Sequence, residues 1–167
     1  MAKELQSSVQ VAISGVLTNA LGLSTPEDSL SKSFRDSLAT GTGLDQADRM
    51  WHDQRTLTSE SEELDLAAGL TDGLGETITF AKVKCIAIFN LSTAGSLTVG
   101  GSATEVAFVN WVSDFSDKIV IGPGGCFLLW NPSLAGYVVT PTSGDKLKIN
   151  SGAETLTYDI IIIGTAA

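Results

Sequence analysis

The chain has 167 residues, 43% of them apolar and only 17% charged, and its 10 Lys and Arg stand against 19 Asp and Glu for a net charge of −9. That balance argues against a nucleic-acid partner, because neutralising phosphates takes clustered Lys and Arg. No run approaches the ~18–20 apolar residues of a membrane helix, so a soluble chain with no membrane partner is expected. The length suits one domain, or one domain with a short arm.

The opening Met1-Ala-Lys-Glu-Leu-Gln6 meets Glu4 and Gln6 before any apolar run develops, so no secretory signal is expected and assembly is placed in the cytoplasm. Cys85 and Cys126 lie in apolar, strand-like segments and are expected to be reduced and buried. The Asn90-Leu91-Ser92 triplet matches a glycosylation sequon, which has meaning only on a secretory route.

In chain order, Val9, Val11, Ile13 and Leu17 alternate with Ser8, Gln10, Ala12 and Ser14, which predicts a first strand with one apolar face. The stretch 18–43 is rich in Ser, Thr, Leu and Gly, holds Pro26, and has Phe34 as its sole aromatic residue. It reads as an arm, mobile in an isolated subunit and ordered against a neighbour. The division expected is therefore an N-terminal strand and arm over 1–45 and a β-sandwich over 46–167. Trp51, Asp53, Arg55 and Leu57 alternate, favouring a strand over 48–57, and Leu64 and Leu66 point inward from another over 62–68. Gly69-Leu-Thr-Asp-Gly-Leu-Gly75 turns the chain into the strongest strand signal, 77–91, whose phase shift near Ala81 predicts a bulge.

The second half repeats short aliphatic runs at 97–99, 105–109, 118–121, 126–130, 137–140, 146–149 and 156–163, with turns at Ile121-Gly-Pro-Gly-Gly125, Asn131–Gly136 and Ser143–Asp145. Turns every 8–12 residues between such runs predict an all-β, antiparallel sandwich or barrel. Ile160 to Ile163 is apolar on both faces, as expected of a central strand or one at a subunit interface.

Residues with catalytic chemistry are sparse. His52 is the single histidine, and its neighbour Asp53 would point to the opposite face of a strand, so no nucleophile–base pair follows and His52 reads as structural. One histidine and two distant cysteines offer no zinc cluster. Glu60, Glu62, Glu63 and Asp65 lack the calcium-loop pattern and read as a solvated strand edge, as do Asp114 and Asp117 in their loop. Neither Gly73-Leu-Gly75 nor Gly122-Pro-Gly-Gly125 is followed by the Lys-Ser/Thr pair of a phosphate loop. No catalytic residue, metal or cofactor is expected. Phe34, Trp51, Trp111, Trp130 and Tyr137 remain as candidates for anchoring a partner.

Read in order, Gly41-Thr-Gly-Leu-Asp-Gln-Ala-Asp48, Trp51-His-Asp-Gln-Arg-Thr-Leu57, Leu64-Asp-Leu66, Leu70-Thr-Asp-Gly-Leu-Gly75, Leu97-Thr-Val-Gly-Gly101, Gly122-Pro-Gly-Gly125 and Tyr158-Asp-Ile-Ile-Ile-Ile-Gly164 resemble a group of small virion structural proteins of tailed bacteriophages. The resemblance covers most of the chain from about Val9 onward. It implies a jelly-roll-like sandwich on the capsid surface, a non-enzymatic cement or decoration protein that binds the major capsid protein and itself, with a homotrimer expected. The alternatives are a tail fibre or tip module stacking host glycans on its aromatic residues, and a tail or head-completion subunit.

Overall fold

The computed structural model describes residues 3–101 and 106–166, and among them there are strands and turns and no helix. The chain opens with a long antiparallel ribbon. Strand β1 (Ser7–Thr18) pairs along all twelve of its residues with β2 (Glu27–Thr40). Backbone bonds Asn19 N–H to Pro26 O and Leu21 N–H to Ser24 O close the turn at the far end. At the root, β2 runs parallel to the short β3 (Gln46–Ala47).

The body is an antiparallel β-sandwich. One sheet is built from β4 (Arg49–Thr58), β8 (Lys82–Asn90), β11 (Cys126–Trp130) and β14 (Thr155–Thr165) in the order β11-β8-β14-β4, with β12 (Tyr137–Val138) continuing alongside β8. The facing sheet holds β5 (Ser61–Asp65), β9 (Leu97–Gly100), β10 (Lys118–Ile121) and β13 (Lys146–Asn150) in the order β10-β9-β13-β5. A two-stranded piece, β6 (Leu70–Thr71) with β7 (Thr77–Ile78), lies on the connection from β5 to β8. The pairings nest: β4 with β14, β5 with β13, β8 with β11 and β9 with β10.

Period-2 alternation explains which side chains meet. Trp51, Leu57, Ile86, Ile88, Leu156, Tyr158, Ile160 and Ile162 face inward from the first sheet, and Leu64, Leu97, Val99, Ile121, Leu147 and Ile149 from the second, in one core. Each such side chain contributes roughly 1.5–3 kcal/mol by leaving water, so this layer supplies the main driving force for folding. Strand β14 is central, flanked by β8 and β4, which accounts for its aliphatic run.

Several expectations are altered. Glu27–Thr40, inside the segment read as an arm with no strand expected, is a strand of 14 residues. The single strand expected over 77–91 is divided into β7 and β8, and the bulge lies at Lys84 rather than Ala81: Ile163 pairs with Cys85 and Gly164 with Val83, leaving Lys84 extra. Gly164 is needed there, because a Cβ would fall 2.1 Å from the Lys82 carbonyl. Of the strand expected over 105–109, Glu105 lies outside the described residues and Ala107 forms only an isolated bridge to Lys146. Both cysteines are free, but Cys126 is exposed, since it lies on the outward face of β11 at the sheet edge.

Candidate interaction surface

The ribbon's register sorts its side chains cleanly, because residues directly opposite in an antiparallel pair share a face. Opposite pairs Ser7–Leu38, Val9–Asp36, Val11–Phe34, Ile13–Lys32, Gly15–Leu30 and Leu17–Asp28 form one face. Ser8–Ser37, Gln10–Arg35, Ala12–Ser33, Ser14–Ser31 and Val16–Ser29 form the other, which is polar apart from Ala12 and Val16. The ribbon is thus amphipathic in the way of a sheet with a core on one side.

Only its root has such a core. Leu38, with Leu5 and Val9, packs with Ala47, Cys85, Ile163, Trp130 and Ile161 in a second, smaller cluster on the outward face of the first sheet. Asp36 accepts a hydrogen bond from Trp130 Nε1 at 3.3 Å, and the Thr40 hydroxyl bonds both N–H and C=O of Leu5. Beyond this root the apolar face continues uncovered, with Ile13 58%, Leu17 73%, Leu30 52% and Phe34 68% exposed. A two-stranded ribbon without a packed face is marginal in water, so this half of the ribbon lacks the layer that would stabilise it.

The buried Lys84 fastens the root. Its ammonium, on the bulge, donates to the Gly43 carbonyl at 2.5 Å and the Pro132 carbonyl at 3.3 Å. Burial depresses its pKa, with the Asp45 carboxylate acting the other way. Asp45 N–H reaches the same Pro132 carbonyl at 3.1 Å, so the loop leaving β2 is tied to the turn after β11.

The outward face of the first sheet is the other half of the surface. Cross-strand registers set it in three rows: Trp130, Cys85, Ile163, Met50; then Leu128, Ala87, Ile161, His52; then Cys126, Phe89, Asp159, Gln54. The ribbon root covers much of the first row. In the next two, Leu128 and Phe89 are 38% and 40% exposed and Cys126 is also open. Val9, Val11, Phe34, Leu128 and Trp130 line the groove where ribbon and sheet meet.

The candidate residues fall on different sides of this division. Phe34 is on the open ribbon face and Trp130 is half-buried at its root. Trp51 is 4% exposed inside the sandwich, so burial removes it as a surface anchor. Trp111 packs against Phe127 with ring centroids 5.5 Å apart and donates to the Phe108 carbonyl, and Tyr137 packs at the margin of the main core. The apolar face of β1 is legible in the sequence, whereas Leu30 of β2 and the Leu128–Phe89 patch are not, because alternation alone does not tell which apolar face finds a partner.

The acidic strand is an edge strand with Glu60 and Glu63 exposed, as expected, but Glu62 and Asp65 are engaged in bonds. Arg55 Nε donates to Glu62 at 2.6 Å and its Nη1 to Asp53 at 2.9 Å, while the Tyr158 hydroxyl, deep in the core, donates to the other Glu62 oxygen. Hydrogen bonding to Glu62 raises the Arg55 pKa, and burial, then Glu62, raises that of Tyr158. Each proton is thereby held in place, and the group bolts β4 and β14 to β5. Asp65 pairs with Lys146, and Asp114 and Asp117 accept from backbone N–H groups of their own loop. His52 and Asp53 lie on opposite faces of β4, as the spacing predicts. Among the described residues no cluster of His, Cys, Asp and Glu is arranged to hold a metal ion. No family model matches the chain, and no curated protein or solved structure matches it either.

Proposed function

We propose that this chain is a non-enzymatic structural protein of a tailed-bacteriophage virion, a capsid cement or decoration protein that associates with itself, as a trimer, and with the major capsid protein shell. The observation that carries the reading is the ribbon: an amphipathic strand pair whose outer half exposes Ile13, Leu17 and Leu30, with Phe34 at the open groove beside them. Burying such a face requires another molecule, and a protein whose task is to join subunits needs one. The order of sequence motifs resembling phage virion proteins supplies the phage and the shell.

The nested strand pairing supports the jelly-roll form of the sandwich, in which the first strand of the body pairs with the last and each later pair lies inside the one before. Such a body has little need of a cleft. Arg55, Glu62 and Tyr158 are engaged with one another in structural bonds, which suits a role played by surfaces.

Electron microscopy of shells assembled with and without the chain tests the proposal. Added density on the outer surface and greater resistance of the shell to heat or chelation are the expected results. Shells of unchanged appearance and stability would overturn it.

A further inference from the structure

Within one chain, the root half of the ribbon's apolar face already packs on the outward face of the first sheet: Val9 and Leu38 lie with Cys85, Ile161, Ile163 and Trp130. The outer part of that same face, Ile13, Leu17 and Leu30, has the same character and is exposed beyond the groove where Phe34 meets Leu128. The same sheet, meanwhile, leaves Leu128 and Phe89 open in its next two rows. Two surfaces of matching kind, each the continuation of a contact that already exists, are left over in every molecule.

We infer that the outer half of the ribbon of one copy lies across the Leu128–Phe89 rows of a second copy, so that identical chains are joined head to tail by their ribbons. Charge fits this occupant. Lys32 interrupts the apolar ribbon face beside Ile13, and Asp159 interrupts the open sheet face beside Phe89; neither is in an ion pair among the described residues. Seating the ribbon brings the Lys32 ammonium toward the Asp159 carboxylate, which within the chain accepts from the Gln54 amide at 2.9 Å, and opposite charges favour one register over others. Because the ribbon and the rows it covers are different patches, the contact is heterologous, and it closes into a ring when the rotation between copies permits. This arrangement rests on the self-association proposed above and names the surfaces that make it.

The experiment uses the full chain. Leu30→Cys places a thiol on the apolar ribbon face, and the native Cys126 is exposed in the third sheet row. Mild oxidation of this variant should give disulfide-linked dimers and higher species on a non-reducing gel, whereas Ser31→Cys, on the polar face, should not. The double variant Ile13→Asp with Leu30→Asp should keep its circular dichroism and melting temperature, both sites being exposed, while its self-association in sedimentation weakens by roughly 100-fold or more, as expected when buried apolar contacts are replaced by charge. Equal cross-linking of the two cysteine variants, or self-association untouched by the aspartates, would overturn the inference. A chain that stays monomeric at tens of micromolar yet decorates shells would also overturn it, while leaving the proposed role on the capsid standing.

Discussion

Replacing Lys84 by Met tests whether the ribbon is held at a defined root. The side chain is fully buried, and its ammonium serves two carbonyls, of Gly43 and Pro132. Methionine fills the space but donates nothing. Pro132 keeps the bond from Asp45 N–H at 3.1 Å, so the Gly43 carbonyl bears the loss. Losing a hydrogen bond from a charged donor to one half-buried acceptor costs about 1.5–3 kcal/mol. Against this stands the relief of no longer burying a cation, whose cost is visible in the depressed Lys84 pKa. The net expectation is a destabilisation of about 1–2 kcal/mol, read from urea unfolding, and it should be concentrated at the root. Amide exchange at Asp45 and Gln46 should accelerate far more than at Ile160 or Ile162 in the central strand. A variant as stable as the parent, with exchange at the root unchanged, would refute the view that this lysine fastens the ribbon.

Tyr158→Phe removes the hydroxyl that donates to Glu62 from inside the core and should cost about 1–2 kcal/mol in chemical denaturation, because Arg55 still satisfies the carboxylate. Ile160→Ala, at a fully buried position of the central strand, should cost about 2–5 kcal/mol through the cavity it leaves. Lys3 lies 2.7 Å from Asp72, and its hydrogen bond, with those of the Glu76 and Leu74 N–H groups, lowers the Asp72 pKa to about 2. A depressed carboxylate pKa contributes stability above the ordinary carboxylate range that is lost as pH falls toward 2, so amide exchange near Asp72 should rise over that acid interval and stay flat above it. In a variant that cannot associate, Cys126 should react readily with a thiol reagent, while Cys85, buried and pushed up to about 11, should react only on unfolding.

The body was largely legible because its strands alternate strongly: 118–121 and 126–130 coincide with β10 and β11, and the strand favoured over 48–57 is β4, although the burial of Trp51 was hidden by Asp53 and Arg55 on the same face. Strand β2 was obscured by composition. Leu30, Lys32, Phe34 and Leu38 do alternate with Ser29, Ser31, Ser33 and Ser37, but serine is common in loops, and the period was outweighed by it. Lys84 was unreadable as a buried fastener, since its burial depends on a bulge created by the close approach of Gly164 to Lys82. The exposure of Cys126 follows from its place on an outward face at a sheet edge, and strand order is a property of the whole chain rather than of the segment.

The most direct test removes ribbon residues 11–34, joins the stubs by a short glycine turn, and follows the product by sedimentation and thermal unfolding. If the sandwich folds on its own core and the ribbon exists to join molecules, the shortened chain melts cooperatively near the parent's temperature and sediments as a monomer. Loss of the folded body, or an assembly of undiminished size, would contradict it.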